Sequence, residues 1–164
     1  MKKIIALFLS AISAFSFAQE VVIIPIVTEQ QMANLPKDYP PILKLAVVDI
    51  SNGKLNEIQD KKYSIKNSGH NLCWIVFNMP FLPSNQITEV FSSPKKANFS
   101  DPNGSRKVSK NGKTNTISIH LPSQNDQFIQ RCWKFDQKDP VGKYTLAIKI
   151  NGINFPAQTF EVIK

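Results

Sequence analysis

The residues with the most specific chemistry in this chain are its two cysteines, Cys73 and Cys132, each of which is followed by a tryptophan. An even count of two allows a single intramolecular bridge. A reactive thiol would need a neighbouring base or a helix terminus to lower its pKa, and the flanking residues supply neither. We therefore predict a structural disulfide, with Trp74 and Trp133 packed around it in the core.

Candidates for catalysis are few. His70 lies in a turn-like stretch, residues 67–71, and His120 falls on the polar face of a predicted strand. No G-x-S-x-G or H-E-x-x-H motif accompanies them, and turn chemistry explains Asp136 and Asp139 more simply than acid–base or calcium chemistry does. We expect two solvated histidines, no catalytic residue, no metal and no cofactor. A periplasmic enzyme whose site is assembled from distant residues stays open as an alternative.

Positive charge is concentrated in one stretch, Ser92–Lys113, which we call the basic segment. It holds a single acid, Asp101, and six basic residues: Lys95, Lys96, Arg106, Lys107, Lys110 and Lys113. Such a concentration attracts anionic partners, although lysines on an edge strand can also serve only to prevent aggregation. The segment is a candidate binding patch. Phe99 is its one aromatic residue, so stacking on nucleic acid bases is not expected.

A second candidate patch is the proline-bounded loop that follows a buried strand, with Met79, Phe81 and Leu82 as its apolar members. Apolar residues in such a loop either close one end of a core or form an exposed contact surface for a partner. The sequence leaves both alternatives open.

The start of the chain has the pattern of a secretory signal. Lys2 and Lys3 precede a short apolar run and a small-residue stretch that ends at Ala18. This pattern predicts a signal peptide over residues 1–18, cleaved before Gln19, and export to a bacterial periplasm or the extracellular space. No later apolar run is long enough to predict a transmembrane segment. Export into an oxidising compartment also favours the disulfide.

The rest of the chain alternates with the period of β-strands. The 164 residues, 42% of them hydrophobic, suit one domain with a core and exclude a disordered tail. Asn111-Gly112 and Asn151-Gly152 predict hairpin turns, and Pro156 places the last strand at an edge or a bulge. A partner strand for the first of these turns is expected near residues 106–110. About seven further strands are predicted: Ile42–Ile50, Leu72–Met79, Ile87–Phe91, Thr114–Leu121, Phe128–Phe135, Lys143–Ile150 and Ile153–Ile163.

We therefore predict an all-β fold, a single antiparallel sandwich over residues 42–164. Leu72–Met79 is apolar on both faces, which predicts a central strand. Residues 19–41 are predicted to form an N-terminal arm and a proline-rich link strapped to the sandwich. Within the arm, Val21–Val27 suits an apolar strand and Thr28–Leu35 a short helical turn.

The C-terminal hairpin carries a family resemblance. The run Asp139–Tyr144, the alternating apolar residues after it, Asn151-Gly152 and then Phe160–Val162 resemble the last hairpin of bacterial immunoglobulin-like modules. The resemblance covers about 25 residues and implies an immunoglobulin-like sandwich without implying an activity. The position two residues after Tyr144 holds Leu146, where immunoglobulin domains with a tyrosine corner carry their second cysteine.

These observations favour an exported bacterial binding module without catalytic activity, which recognises a protein or an anionic envelope component through loops at one end of the sandwich. A surface-fibre subunit is a further alternative, because an apolar arm such as Val21–Val27 could complete the sheet of another subunit.

Overall fold

The computed structural model describes residues 39–164 and, upstream of them, Gln30. Residues 39–164 form eleven β-strands and no helix. The strands are β1 (Ile42–Asp49), β2 (Asn56–Ile58), β3 (Lys62–Ser64), β4 (His70–Phe77), β5 (Asn85–Ser92), β6 (Ser105–Val108), β7 (Thr114–Leu121), β8 (Phe128–Trp133), β9 (Gly142–Ile150), β10 (Ile153–Asn154) and β11 (Gln158–Ile163). Among the described residues, no helix is long and apolar enough to cross a membrane.

Two sheets face each other. The four-stranded sheet has the order β2-β1-β4-β8, and the seven-stranded sheet has the order β3-β11-β9-β5-β7-β6, with β10 paired to β9. The predicted β-sandwich is confirmed. The expected number of about seven strands was too low, because β2, β3 and β10 have only two or three residues each and show no alternation. The sandwich is not wholly antiparallel either, since β3 runs parallel to β11.

The predicted hairpins form at the two Asn-Gly pairs. Asn151 and Gly152 both have positive φ, 48° and 90°, as a type I′ turn requires. Gly112 has φ 70° in the loop that joins β6 to β7. Pro156 lies in the gap between β10 and β11 and so interrupts the last strand as predicted, but β11 is not an edge strand because it pairs with both β9 and β3.

The main core lies between the sheets and contains most of the aromatic side chains. Phe99 stacks on Phe91 with ring centroids 4.3 Å apart, and Tyr144 stacks on Phe160 at 5.2 Å. The Tyr144 hydroxyl donates a hydrogen bond of 2.5 Å to the carbonyl of Pro140. This bond is the tyrosine corner typical of immunoglobulin-type sandwiches, here without a cysteine two residues later.

The predicted disulfide joins Cys73 of β4 to Cys132 of β8, two directly opposed residues of neighbouring strands. Successive residues of a strand face opposite sides. Trp74 therefore turns away from the bridge into the main core, where it is fully buried, and Trp133 packs against the same core. The expectation that both tryptophans pack with the core is confirmed, whereas their predicted position around the disulfide was wrong.

The central position predicted for Leu72–Met79 is confirmed, since all eight residues of β4 are buried. The signal peptide predicted for residues 1–18, the strand Val21–Val27 and, apart from Gln30, the helical turn Thr28–Leu35 lie outside the described residues.

Candidate functional site

The basic segment leaves β5, includes β6, and ends where β7 begins, so it lies at one edge of the seven-stranded sheet. Backbone hydrogen bonds tie its first part to its last. Ser93 N donates to Lys113 O at 2.9 Å, and Ala97 N donates to Gly112 O at 3.1 Å. The side chain of Lys96 lies over Gly112 so closely that a Cβ there would be 2.6 Å from the Lys96 Cγ. The two lysine-bearing parts of the segment therefore lie side by side.

The structure exposes every cation of the basic segment. All six side chains of the predicted patch are exposed, and β6 is exposed along its whole length. In the described part of the chain, none of the six forms an ion pair. The one acid of the segment, Asp101, is already paired, because Arg131 Nη2 of β8 donates to its Oδ2 at 2.8 Å. The patch therefore presents its positive charge without internal neutralisation.

Two further contacts fix the shape of the segment. The buried Asn115 of β7 accepts a hydrogen bond from Arg106 Nε at 3.3 Å and donates one to Ala97 O at 3.3 Å. Phe99 is 5% exposed and inserted into the aromatic core, so it is not available for stacking on a ligand. Core contacts thus hold a segment whose six basic residues are all exposed.

The second candidate patch is mostly packed. Met79 is buried, Phe81 is partly buried against the main core, and Leu82 is 51% exposed. The Asn85 side chain holds the loop through hydrogen bonds with the backbone N–H and carbonyl of Leu82, at 2.9 and 2.8 Å. The loop closes one end of the core and leaves a single large apolar side chain in solvent.

A buried polar network that was not predicted from the sequence connects the two sheets. Glu89 of β5 is fully buried, and its Oε1 accepts hydrogen bonds from Trp74 Nε1 at 2.6 Å and Trp133 Nε1 at 2.8 Å. Arg131 Nη1 lies 3.5 Å from Glu89 Oε2, and the Arg131 guanidinium stacks 4.3 Å from the Trp133 ring centroid. Through Asp101, the same arginine also holds the basic segment.

Burial raises the pKa of the Glu89 carboxyl, while the Arg131 charge and the two indole N–H groups oppose the rise. A sequence signal for this residue existed. Glu89 alternates with Ile87 and Phe91, so the strand places a carboxylate on an otherwise apolar face. A buried carboxylate needs partners, and they come from β4 and β8 of the opposite sheet.

His70 is buried, so the expectation of two solvated histidines was wrong for this residue; His120 is exposed, as expected. His70 Nδ1 accepts a hydrogen bond from Ser64 N at 3.0 Å, and His70 Nε2 lies 3.9 Å from Asp49 Oδ2. Ser51 Oγ donates directly to Asp49 Oδ1 at 2.5 Å. A serine nucleophile needs its hydroxyl on the histidine base, and here it is bonded to the carboxylate instead. The cluster is a structural clamp.

Asp136 and Asp139 serve their turn, as the sequence suggests. Asp136 N donates to Asp139 Oδ2 at 2.8 Å, and Asp139 N donates to the carbonyl of Asp136 at 3.1 Å. Burial raises the pKa of Asp139. In the described part of the chain, no group of three or more histidine, cysteine or acidic side chains is placed to hold a metal ion.

Fold and surface together define a disulfide-bridged, two-sheet β-sandwich with a basic edge. The chain belongs to the family described as the PM0630 beta sandwich domain, whose model matches residues 43–163. The protein PM0630 of Pasteurella multocida (strain Pm70) is 30% identical over 166 residues, an alignment that covers all of both chains.

Two solved structures are also similar. One is an immunoglobulin-like protein, PA1606, of Pseudomonas aeruginosa, with a TM-score of 0.47 and 14% identity over 77% of this chain and 94% of that chain. The other is the alkylpurine DNA glycosylase AlkC of Pseudomonas fluorescens, with a TM-score of 0.39 and 12% identity over 76% of this chain and 30% of that chain.

Proposed function

We propose that the protein is an exported bacterial binding module without catalytic activity, and that its basic segment recognises an anionic component of the cell envelope. The observation that carries this proposal is the convergence of six exposed cations, without an ion pair to a described residue, on one edge of the sandwich. Clustered charges of one sign raise the local potential and attract anions.

Anchoring supports a binding role over a solubility role. Charges that only keep an edge strand apart from other chains need exposure and nothing more. Here Asp101 is held by Arg131, Phe99 is packed into the core, and Asn115 links Arg106 to the backbone of Ala97. A segment fixed in this way loses less conformational entropy when a ligand binds.

The proposed compartment rests on two observations. The disulfide indicates an oxidising environment, and the residues before Gln19 have the pattern of a secretory signal. In that environment the abundant anionic partners are acidic glycans and anionic lipid headgroups. Both expose phosphates or carboxylates, the groups to which lysine and arginine donate charge-assisted hydrogen bonds.

The test compares two quadruple variants of equal charge. One replaces Lys95, Lys96, Arg106 and Lys107 with Gln, and the control replaces the exposed Lys54, Lys66, Lys138 and Lys149 with Gln. Binding is measured by flotation with phosphatidylcholine vesicles with and without phosphatidylglycerol, and on an immobilised sulfated glycan, over a series of salt concentrations.

A basic side chain near an anionic surface contributes about 1 kcal/mol. The first variant should therefore bind at least about tenfold more weakly and lose most of its salt dependence, and the control should keep its affinity. Equal losses in both variants would mean that total charge, and not this segment, determines binding. Absence of binding to every anionic probe would reject the proposal, and pull-down from an envelope fraction would then turn to the Leu82 loop.

A further inference from the structure

The outer face of the four-stranded sheet, which points away from the seven-stranded sheet, carries a group of buried apolar residues beside Lys44, Gln130 and the exposed Cys132. Its strands place alternate residues on this side, and these residues form a second apolar cluster, which we call the outer cluster: Ala46, Val48, Cys73, Ile75, Phe77 and Phe128. All six are at most 8% exposed, and Ala46 and Ile75 have no exposure at all.

Burial on this face requires a covering layer. In a two-layer sandwich, the partner sheet covers the inner face, and the outer face meets solvent. Ile75 is a central residue of β4, with Lys44 of β1 and Gln130 of β8 as its neighbours in the sheet. Two partly buried residues of the described chain pack against the outer cluster, Ile42 and Leu55. Both residues lie at the margins of the outer cluster. Four strands about 4.8 Å apart make a face about 15 Å wide, so two marginal side chains are too few to cover it.

The chain before β1 reaches the face at one corner. Asn78 donates hydrogen bonds to the backbone carbonyls of Tyr39 and Pro40, which fixes the entry of the chain beside the end of β4. Ile42, Phe77 and Phe128 are neighbours in register at that corner. The chain enters the described fold next to the apolar residues that need cover.

The composition of that preceding chain fits the face. Val21–Val27 contains six aliphatic residues and one proline, in the order Val-Val-Ile-Ile-Pro-Ile-Val. Extended, seven residues span about 23 Å, close to the length of an eight-residue strand, and the eleven residues between Val27 and Tyr39 allow a return of up to about 40 Å. Pro25 lacks an N–H donor, which weakens the segment as a hydrogen-bonded ladder strand but is no obstacle to lying across a face.

We propose that Val21–Val27 lies across the outer cluster of its own chain and forms the third layer of the fold. The occupant is apolar and intramolecular, so the sandwich would be a closed unit and not a fibre subunit that donates this arm to a neighbour. The inference is independent of the basic segment, which lies at the edge of the other sheet.

Photo-crosslinking in the intact chain tests the placement. p-Benzoylphenylalanine replaces Ile24, and the control carries it at the exposed Gln137. Mixed ¹⁴N- and ¹⁵N-labelled protein separates crosslinks within a chain from crosslinks between chains by mass. We expect intrachain crosslinks from position 24 to peptides that carry Ile75, Phe77 or Phe128, and none of these from position 137. Crosslinks between chains, crosslinks to the seven-stranded sheet, or a yield at the control level would overturn the proposal.

A second measurement does not depend on the probe. Ile24→Asp combined with Ile26→Asp should uncover the outer cluster, and Gln31→Asp together with Gln19→Asp is the control with the same added charge. The isoleucine variant should bind the apolar dye ANS several-fold more strongly than the control and unfold at a lower temperature. Dye binding and melting temperature that match the control would show that another element covers the face.

Discussion

The two sheets of this sandwich handle their outer faces differently. In the seven-stranded sheet, β5 and β9 alternate, with buried residues on one side and exposed or partly exposed residues such as Lys143 and Lys149 on the other. In the four-stranded sheet, β4 is buried on both sides over its full length. The seven-stranded sheet therefore buries its apolar residues against the four-stranded sheet alone. The four-stranded sheet needs a further layer to cover the apolar residues on its outer face.

The difference also separates the chemistry of the two sheets. The basic segment extends from the edge of the seven-stranded sheet, whose outer face is wet, while Cys73 of the disulfide lies among the buried apolar residues on the outer face of the four-stranded sheet. Between them, Glu89 and Arg131 form the polar connection of the two inner faces. Five predictions test this division, in order of decreasing effect.

Glu89→Ala should have the largest effect, because it removes the acceptor of two buried indole N–H groups and one of the two carboxylates paired with Arg131. Removing one partner of a buried pair costs about 3–5 kcal/mol. Urea unfolding measures the loss, with the partly exposed Glu161→Ala as the control. A loss below about 1 kcal/mol would mean that the sheets do not depend on this connection.

Ile75→Ala tests the burial of the outer face directly. Because Ile75 has no exposed surface, it should behave as a core residue and lose about 2–5 kcal/mol of unfolding free energy. Lys149→Ala, on the outer face of the other sheet, should change stability by no more than about 0.5 kcal/mol. Similar values for the two variants would remove the contrast between the sheets.

Replacing Cys73 and Cys132 together with Ala should lower the unfolding free energy by about 2–4 kcal/mol, since the bridge closes 59 positions of sequence. Thermal unfolding with and without a reductant provides the comparison. Ellman titration of the unfolded, unreduced protein should detect no free thiol, and two thiols per chain would contradict the bridge.

Tyr144→Phe removes the tyrosine-corner hydrogen bond and keeps the ring in the core of the seven-stranded sheet. The expected loss is about 1 kcal/mol, the usual net value of one hydrogen bond. Tyr39→Phe, at an exposed position, is the matched control. Equal stability of the two variants would mean that the corner bond contributes nothing measurable.

The smallest effect is a pH dependence. Because burial raises the pKa of Glu89, the folded state keeps this proton at a pH where the unfolded state has lost it. The unfolding free energy of the wild type relative to Glu89→Gln should therefore be highest below about pH 4.5 and fall as the pH rises through the folded pKa. Chemical unfolding of both proteins over a pH series measures the difference. If the unfolding free energy of the wild type relative to Glu89→Gln rose with pH, the pKa of Glu89 would be lowered by folding and not raised.

Strong local patterns were sufficient to predict most of the fold. Alternation located β7 and β9 to within a residue, and the Asn-Gly pairs located their turns. β3 has three residues and pairs in parallel with β11, far along the chain, so no local pattern marks it.

The candidate site was predictable in part. Counting charges found the six cations, because exposure is the ordinary state of lysine. The attachment of Asp101 to Arg131 depends on β8 of the other sheet, a contact that the sequence does not encode locally. The predicted packing of Trp74 around the disulfide was wrong, because strand geometry sets Trp74 and its neighbour Cys73 on opposite faces.

The position of the disulfide has a consequence for proteolysis. Every cation of the basic segment, and hence each of its cleavage sites for a trypsin-like protease, lies between Cys73 and Cys132. A single cut in the exposed β6 strand would therefore leave two fragments that remain covalently joined through the bridge and paired across β4 and β8. Such a nicked molecule would migrate as one chain on a non-reducing gel and as two fragments only after reduction.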